Sequence, residues 1–443
     1  MKKREFLKKS AALASLAVFP SPLWSIKNPN IRLAQIGVGG MGAQDLNSMS
    51  SHSSVSVVAL CDVDLSALNE AKKIHPNAKA YSDYRIMLKE MKDEIDAVQV
   101  STPDHTHAPA SIMAMNLNKH VYCQKPLTHN PSESRLMMKI AKEKKLTTQM
   151  GIQVHSFYDY KLATILIKGG IIGKIKTVRA WTHGNSGYDG PIPMGNDPIP
   201  ESLNWNLWLG TSPERPYKKG YYHPSEWRKI VDYGCGTLGD MGVHIFDTPY
   251  NALELDSPIT VKNECRKHNG FSFPEANTVT YTFPGTRYTT NKLTWVWTDG
   301  QFPLIEDDLK LPNQDELPVQ GSMFIGEKGR LLLPHFMQEP RLIVNGDYKE
   351  IDISKYPKAL ELKSPARDYD IDTKIHYHEF VDACLGNADC SAPFSYSGRL
   401  TEVILLGVIA GRFPNKKLHW DIEKGRFKES AANKFLDSEY RIF

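Results

Sequence analysis

From Ile31 the segment IRLAQIGVGGMGAQDLNSM runs a short apolar stretch into Gly37-Val38-Gly39-Gly40-Met41-Gly42 and continues with helical spacing. Few packings accommodate such a strand, glycine turn and helix. The first glycine permits a tight turn, the second a close backbone approach, and the third close contact of helix on strand. The helix start then points free N–H groups and the positive end of its dipole above the turn, which suits a phosphate. The alternation continues along the chain. VSVVALCDVD is a second apolar strand ending at Asp62; IDAVQVSTPDHTHAPASIMAMNLNKH goes from strand to loop to helix. VYCQKPL feeds a short loop, PSESRLMMKIAKEKK is an amphipathic helix, and LTTQMGIQ is a last strand. The pattern implies an α/β fold with a parallel, doubly wound sheet of Rossmann type, which binds ligands beyond the carboxyl ends of its strands. The loops of interest are Ser101–His107, Gln124–Pro126 and Gln153–His155.

Gly37, Gly39 and Gly42 satisfy G-x-G-x-x-G, and Asp62 follows slightly later than the usual interval of about 20 residues. A carboxylate there accepts from both ribose hydroxyls and repels a 2′-phosphate, so NAD is expected over NADP. In isolation Asp62 also reads as a strand-end turn residue. The expected cofactor contacts are Gly37, Gly39, Gly40, Met41, Gly42, Asp62, Ser101, Thr102, Pro103, His107, Gln124, Lys125 and Gln153.

At 443 residues the chain exceeds what one core usually supports, so two domains are expected. The divisions read as an export signal at 1–28, a nucleotide-binding domain at 30–152, a substrate and oligomerisation domain at 153–422, and a tail at 423–443. MKKREFLKKSAALASLAVFP has the basic start, short apolar run and small-residue break of a secretory signal. Its Lys3-Arg4-Glu5-Phe6-Leu7-Lys8 resembles a twin-arginine signal with lysine for the first arginine, which gives an exported, periplasmic expectation. A net charge of +4, with no basic tract interleaved with aromatics, argues against nucleic acid. The six cysteines lack C-x-x-C spacing, so neither zinc nor a disulfide framework is expected, and no run after residue 20 is apolar enough to span a membrane.

The combination of the glycine loop, STPDHTHAP, VYCQKPL and DYGCGTLGDMGVH, with SGRLTEVILLGVIAGR and KKLHWD near the end, resembles the glucose-fructose oxidoreductase, inositol dehydrogenase and MocA (Gfo/Idh/MocA) family. That resemblance implies a Rossmann domain followed by an α/β domain with a large, mainly antiparallel open sheet, in a homo-oligomer such as a dimer or tetramer. It implies oxidation or reduction of a secondary alcohol of a sugar or cyclitol. The family's lysine falls on Lys125, and its aspartate and histidine on Asp240 and His244. Gln124 stands where the family usually has glutamate.

The chemistry of these residues agrees. Hydride removal from a carbinol carbon needs a base for the hydroxyl proton, and a neutral His244 suits it. Asp240, four residues earlier on a helix, is expected to orient His244 and stabilise its imidazolium. Lys125 is expected to donate to the same oxygen. The glycine-rich approach, Gly234, Gly236 and Gly239, is expected to let the chain pass beside the nicotinamide. The pair also fits a helix cap with a packed histidine, or a shared cation, although no further metal ligands are evident. His155, Trp227, Arg228 and Asp232 are the candidate substrate contacts; His376 and His378 read as structural. Two rival functions remain. One is a glycosidase or lyase that uses NAD transiently through oxidation, elimination, water addition and re-reduction. The other is an idle binding scaffold.

Overall fold

The computed structural model describes residues 30–443, so the expected signal at 1–28 lies outside the described residues. The first sheet contains β1 (Ile31–Ile36), β2 (Val55–Cys61), β3 (Lys79–Tyr81), β4 (Ala97–Val100), β5 (His120–Gln124) and β6 (Thr148–Gly151). All neighbours pair in parallel, in the order β3-β2-β1-β4-β5-β6. The strand order reverses between β1 and β4, and the crevice above that point is where such sheets bind ligands. Helices α1 (Met41–Ser50), α2 (Leu65–Ile74), α3 (Tyr84–Glu90), α4 (Asp104–Asn116) and α5 (Pro131–Lys144) connect the strands. Their starts carry local signals. Asp64 and Asp83 cap α2 and α3 through the N–H groups of Ser66 and Arg85. Asn130 and Glu133 form a capping box on α5, with Pro131 in its first turn.

After α6 (Tyr158–Lys168) the chain enters a second sheet through β7 (Ile175–Thr182), then crosses a long segment with one short helix, α7 (Trp205–Leu209), to reach α8 (Val243–Ala252). Strands β8 (Thr260–Glu264), β9 (Asn277–Pro284), β10 (Thr289–Asp299), β11 (Gln320–Gly326), β12 (Arg330–Pro334), β13 (Arg341–Val344) and β14 (Asp347–Lys349) follow. Then come α9 (Pro357–Leu360), α10 (Tyr369–Cys384), α11 (Phe394–Ala410), β15 (Lys417–Asp421) and β16 (Arg426–Phe427). The ten strands order as β14-β13-β12-β11-β7-β10-β9-β8-β15-β16; only β7 and β10 pair in parallel. Alternation along NTVTYTFP puts Val279, Tyr281 and Phe283 on the buried face, where Phe246 of α8 stacks on Trp295 at 4.2 Å. SMFIGEKGRLLLP and RLIVNGDYKE each fold as a hairpin.

The two sheets do not divide cleanly along the chain. α10 packs Tyr377, Phe380 and Val381 against Val38 and Leu46 of the first domain, and Tyr377 stacks on Tyr122 at 5.1 Å. His376 and His378 lie on this helix; His376 is buried with Nε2 2.8 Å from the Met150 carbonyl, in line with a structural role. The segment at 423–443 is tied down as well. Tyr440 donates to Glu133 at 2.6 Å, and the Arg441 N–H to the Thr211 carbonyl at 2.9 Å.

Candidate functional site

A cavity of roughly 940 Å³ opens above the glycine turn and extends under the second sheet, near the upper end of the roughly 300–1,000 Å³ typical of ligand sites. Gly37, Gly39, Gly40, Met41, Gly42, Asp62, Ser101, Thr102, Pro103, Gln124, Lys125 and Gln153 all line it, as do His244, Trp227 and Arg228. Residues separated by two hundred positions therefore face one space.

The turn fits a dinucleotide. Gly37 has φ +83°, and a Cβ there would stand 2.4 Å from the Ser101 carbonyl oxygen, so only glycine allows the chain this close to the end of β4. Asp62 accepts from the N–H of Val38 at 2.8 Å and of Asp64 at 2.9 Å, which fixes the carboxylate at the strand end with lone pairs left for a ribose diol. Burial raises its pKa. Beneath the turn, buried Asp45 accepts from Gln124 Nε2, from the Ser101 hydroxyl and from the Tyr377 hydroxyl, and burial pushes it up to about 6. The negative charge missing at position 124 is thus supplied by α1. Gln124 also accepts from the Lys125 N–H at 3.1 Å.

Of the glycine-rich run, Gly234 lies in a loop, Gly236 has a left-handed backbone at φ +63°, and Gly239 lies inside a helical turn. Residues 238–242 form a π-helical turn leading directly into α8, a local widening that recurs at functional sites. A Cβ at Gly239 would stand 2.2 Å from that of Cys235, with Pro126 also close, so glycine seats this helix against the loop carrying Lys125. Lys125 Nζ donates to Asp240 Oδ1 at 2.7 Å and to the Asp240 carbonyl at 2.9 Å. Ser186 donates to Oδ2 at 3.0 Å and Arg228 Nε to Oδ1 at 3.3 Å. Burial favours a neutral Asp240, but the charges of Lys125 and Arg228 outweigh it and hold the carboxyl well below its usual range.

Asp240 is therefore not hydrogen-bonded to His244, contrary to the orienting role expected from their spacing: its oxygens are taken by three other side chains. His244 Nδ1 is buried without a partner among the described residues. Burial and then the Lys125 charge push its pKa well below the ordinary value, so the imidazole is neutral. His335 faces it, ring centroids 6.0 Å apart. Just behind, Asp104 at the start of α4 is pushed up to about 7 by burial, against the pull of Arg228.

Three expected contacts lie elsewhere. His107 is buried, its ring spanning the carbonyls of Pro126 and Thr102 at 2.8 Å each, so it ties two cavity loops together without entering the cavity. His155 turns away onto Asp247, Nδ1 to Oδ1 at 2.8 Å, and packs on Tyr396. Asp232 pairs with Arg215 and lines a separate cavity behind the site.

Sequence reading missed a strap over the open edge of the turn. Asn204 N–H donates to the Val63 carbonyl at 2.9 Å, Leu65 N–H to the Ser202 carbonyl at 2.9 Å, and His223 Nε2 lies 2.8 Å from Asp64 Oδ2. Leu207, Trp208, His223, Pro224 and Ser225 from this segment line the cavity beside Asp62. His335, Phe336, Gln320 and Tyr369, from later segments, also line it. The available signal was positional, since His335 immediately follows the apolar run of β12.

Residues 31–152 match the family model described as an oxidoreductase family, NAD-binding Rossmann fold, and residues 163–287 match the companion C-terminal alpha/beta domain. The chain belongs to the Gfo/Idh/MocA oxidoreductase family. Its cofactor is NAD. Among curated relatives it is 37% identical over 135 residues to a glycosyl hydrolase family 109 protein of Stenotrophomonas maltophilia, covering 28% of this chain and 29% of that protein. It is 30% identical over 191 residues to a levoglucosan dehydrogenase of Pseudarthrobacter phenanthrenivorans, covering 43% and 40%. Both relatives are thus matched over less than half their length. The fold superposes on the WlbA dehydrogenase of Bordetella pertussis, solved with NADH and UDP-GlcNAcA, with a TM-score of 0.60, 15% identity, and coverage of 89% of this chain and 99% of that one. Among the described residues no cluster of metal-ligating side chains occurs and no helix is long and apolar enough to cross a membrane.

Proposed function

We propose that this protein oxidises a secondary hydroxyl of a sugar or glycoside, with His244 as the base. The observation that carries the reading is that Lys125, anchored on Asp240, and His244 line the same cavity as the glycine turn and Asp62. Bound NAD supplies the hydride acceptor. Lys125, anchored by Asp240, donates to the reacting oxygen and stabilises charge developing there. His244 is neutral and ready to accept the hydroxyl proton; the Asp240 charge favours the imidazolium once formed. Trp227 and Arg228 supply an aromatic face and a donor beside the reacting centre. The strap over Asp62 and Asp64 supports slow release of the cofactor, which suits an exported enzyme that carries its own dinucleotide.

The likeness to a family 109 glycosyl hydrolase favours a second reading, in which a ring hydroxyl is oxidised, the glycoside eliminated, water added and the ring re-reduced. Mass analysis of the purified protein for bound dinucleotide, followed by a glycoside panel read at the reduced-nicotinamide band, separates the two. Accumulating NADH with a ketone product supports the oxidoreductase; aglycone release without NADH supports the redox-neutral route. A protein that neither binds NAD nor transforms any glycoside refutes both.

A further inference from the structure

The cavity wall facing His244 carries a second imidazole that takes no part in the proton transfer at His244. His335 follows β12, lines the cavity, and has its ring 6.0 Å from that of His244 at an interplanar angle of 37°. Its Nδ1 meets the hydroxyl of Tyr160 from α6. That hydroxyl is buried and has no other partner among the described residues. Were the ring hydrogen on Nδ1, the phenolic hydrogen would be buried without an acceptor, and an unmade buried bond costs the full desolvation of its donor. The hydroxyl therefore donates to Nδ1, which places the ring hydrogen on Nε2. Nε2 has no partner among the described residues, and it belongs to a ring facing the cavity. Burial keeps this imidazole neutral, its pKa lowered to about 3.

We propose that His335, locked by Tyr160 in the Nε2–H form, is a substrate-binding donor that grips the oxygen on the carbon next to the one oxidised. The substrate class that follows is a vicinal diol, or a hydroxyl beside another ring oxygen substituent, held with one oxygen at Lys125 and His244 and its neighbour at His335. This assignment rests on the sugar-oxidising reading above. A lone secondary alcohol fills only the first position.

Two measurements on the dinucleotide-loaded protein test it. In ¹⁵N-histidine-labelled protein, with His335→Gln identifying the signal, His335 is expected to show a protonated Nε2 and bare Nδ1 down to pH 5, and Tyr160→Phe to give mixed tautomers. An Nδ1–H form in the unmodified protein overturns the proposal. Second, the NADH-loaded protein is titrated with methyl β-D-glucoside and its monodeoxy derivatives. His335→Phe is expected to weaken the parent glycoside roughly tenfold, and one monodeoxy derivative to be weakened as much on the wild type but no further on the variant. Equal binding to wild type and His335→Phe, or no deoxy position coupled to the substitution, refutes the assignment. Binding with this coupling but no turnover on any sugar leaves His335 as the donor and removes the oxidoreductase reading. No binding of any glycoside removes both.

Discussion

Gln124 Nε2 donates to both carboxylate oxygens of Asp45, at 3.0 and 2.9 Å, in a buried site directly beneath the glycine turn. An amide stands at position 124 of the lysine loop, and the neighbouring helix provides the carboxylate that faces it. Because an amide donates where a carboxylate only accepts, the pair is complementary in this order and conflicting if position 124 alone is changed.

Gln124→Glu is therefore expected to place two carboxylates against one another, lose NAD affinity and lower the melting temperature, at a cost of about 1–3 kcal/mol. Adding Asp45→Asn restores one donor facing one acceptor set. Thermal melts and dinucleotide titration of both singles and the double check this; a double variant no better than the worse single contradicts the pairing.

His244→Gln should reduce turnover by about 10²–10⁴-fold while the dinucleotide remains bound. The comparison to make is the amount of NAD recovered per protein against single-turnover reduction rates. Equal losses in both would mean that the ring supports the fold and does no chemistry.

The pH profile carries a signature of Lys125. Burial and the Lys125 charge lower the His244 pKa, so the acid limb of kcat/KM should fall below the ordinary histidine value of about 6.5. Removing the cation with Lys125→Met withdraws one lowering influence, and the limb should move upward in pH while the maximal rate falls about 10²–10³-fold. An unmoved or downward-moving limb would assign the titration to another group.

The His223–Asp64 contact, 2.8 Å across the edge of the turn, predicts a kinetic effect. His223→Ala should speed dinucleotide release several-fold with little change in kcat, as followed by displacement with excess NADH, because it opens the strap without touching Lys125 or His244. Unchanged release means that the backbone contacts at Val63 and Leu65 hold the strap unaided.

Gly37→Ala combines a left-handed backbone with a Cβ 2.4 Å from the Ser101 oxygen. It should abolish NAD binding and destabilise the first domain by about 1–3 kcal/mol. Retained binding with an unshifted melt would remove the turn from the cofactor site.

The nucleotide-binding half was legible in the chain because its signals are local. Alternating strands and helices, glycines where φ is positive or space is absent, and an acid at a strand end each act within a few residues, and the same interactions build the sheet. Lys125, Asp240 and His244 were likewise placed by motif. What the sequence left open were the partners of side chains brought together by packing. The 4-residue spacing of Asp240 and His244 says nothing of Lys125, Ser186 and Arg228, which arrive from three other segments and take up the carboxylate. His155 and Asp232 lie close in sequence to the site, yet Asp247 and Arg215 draw them away from it, because a buried charge or imidazole turns toward its nearest complement. His335 and the strap around His223 enter from distant loops that only the second sheet and its connections position. Local chemistry specified the elements; long-range pairing chose which polar groups meet.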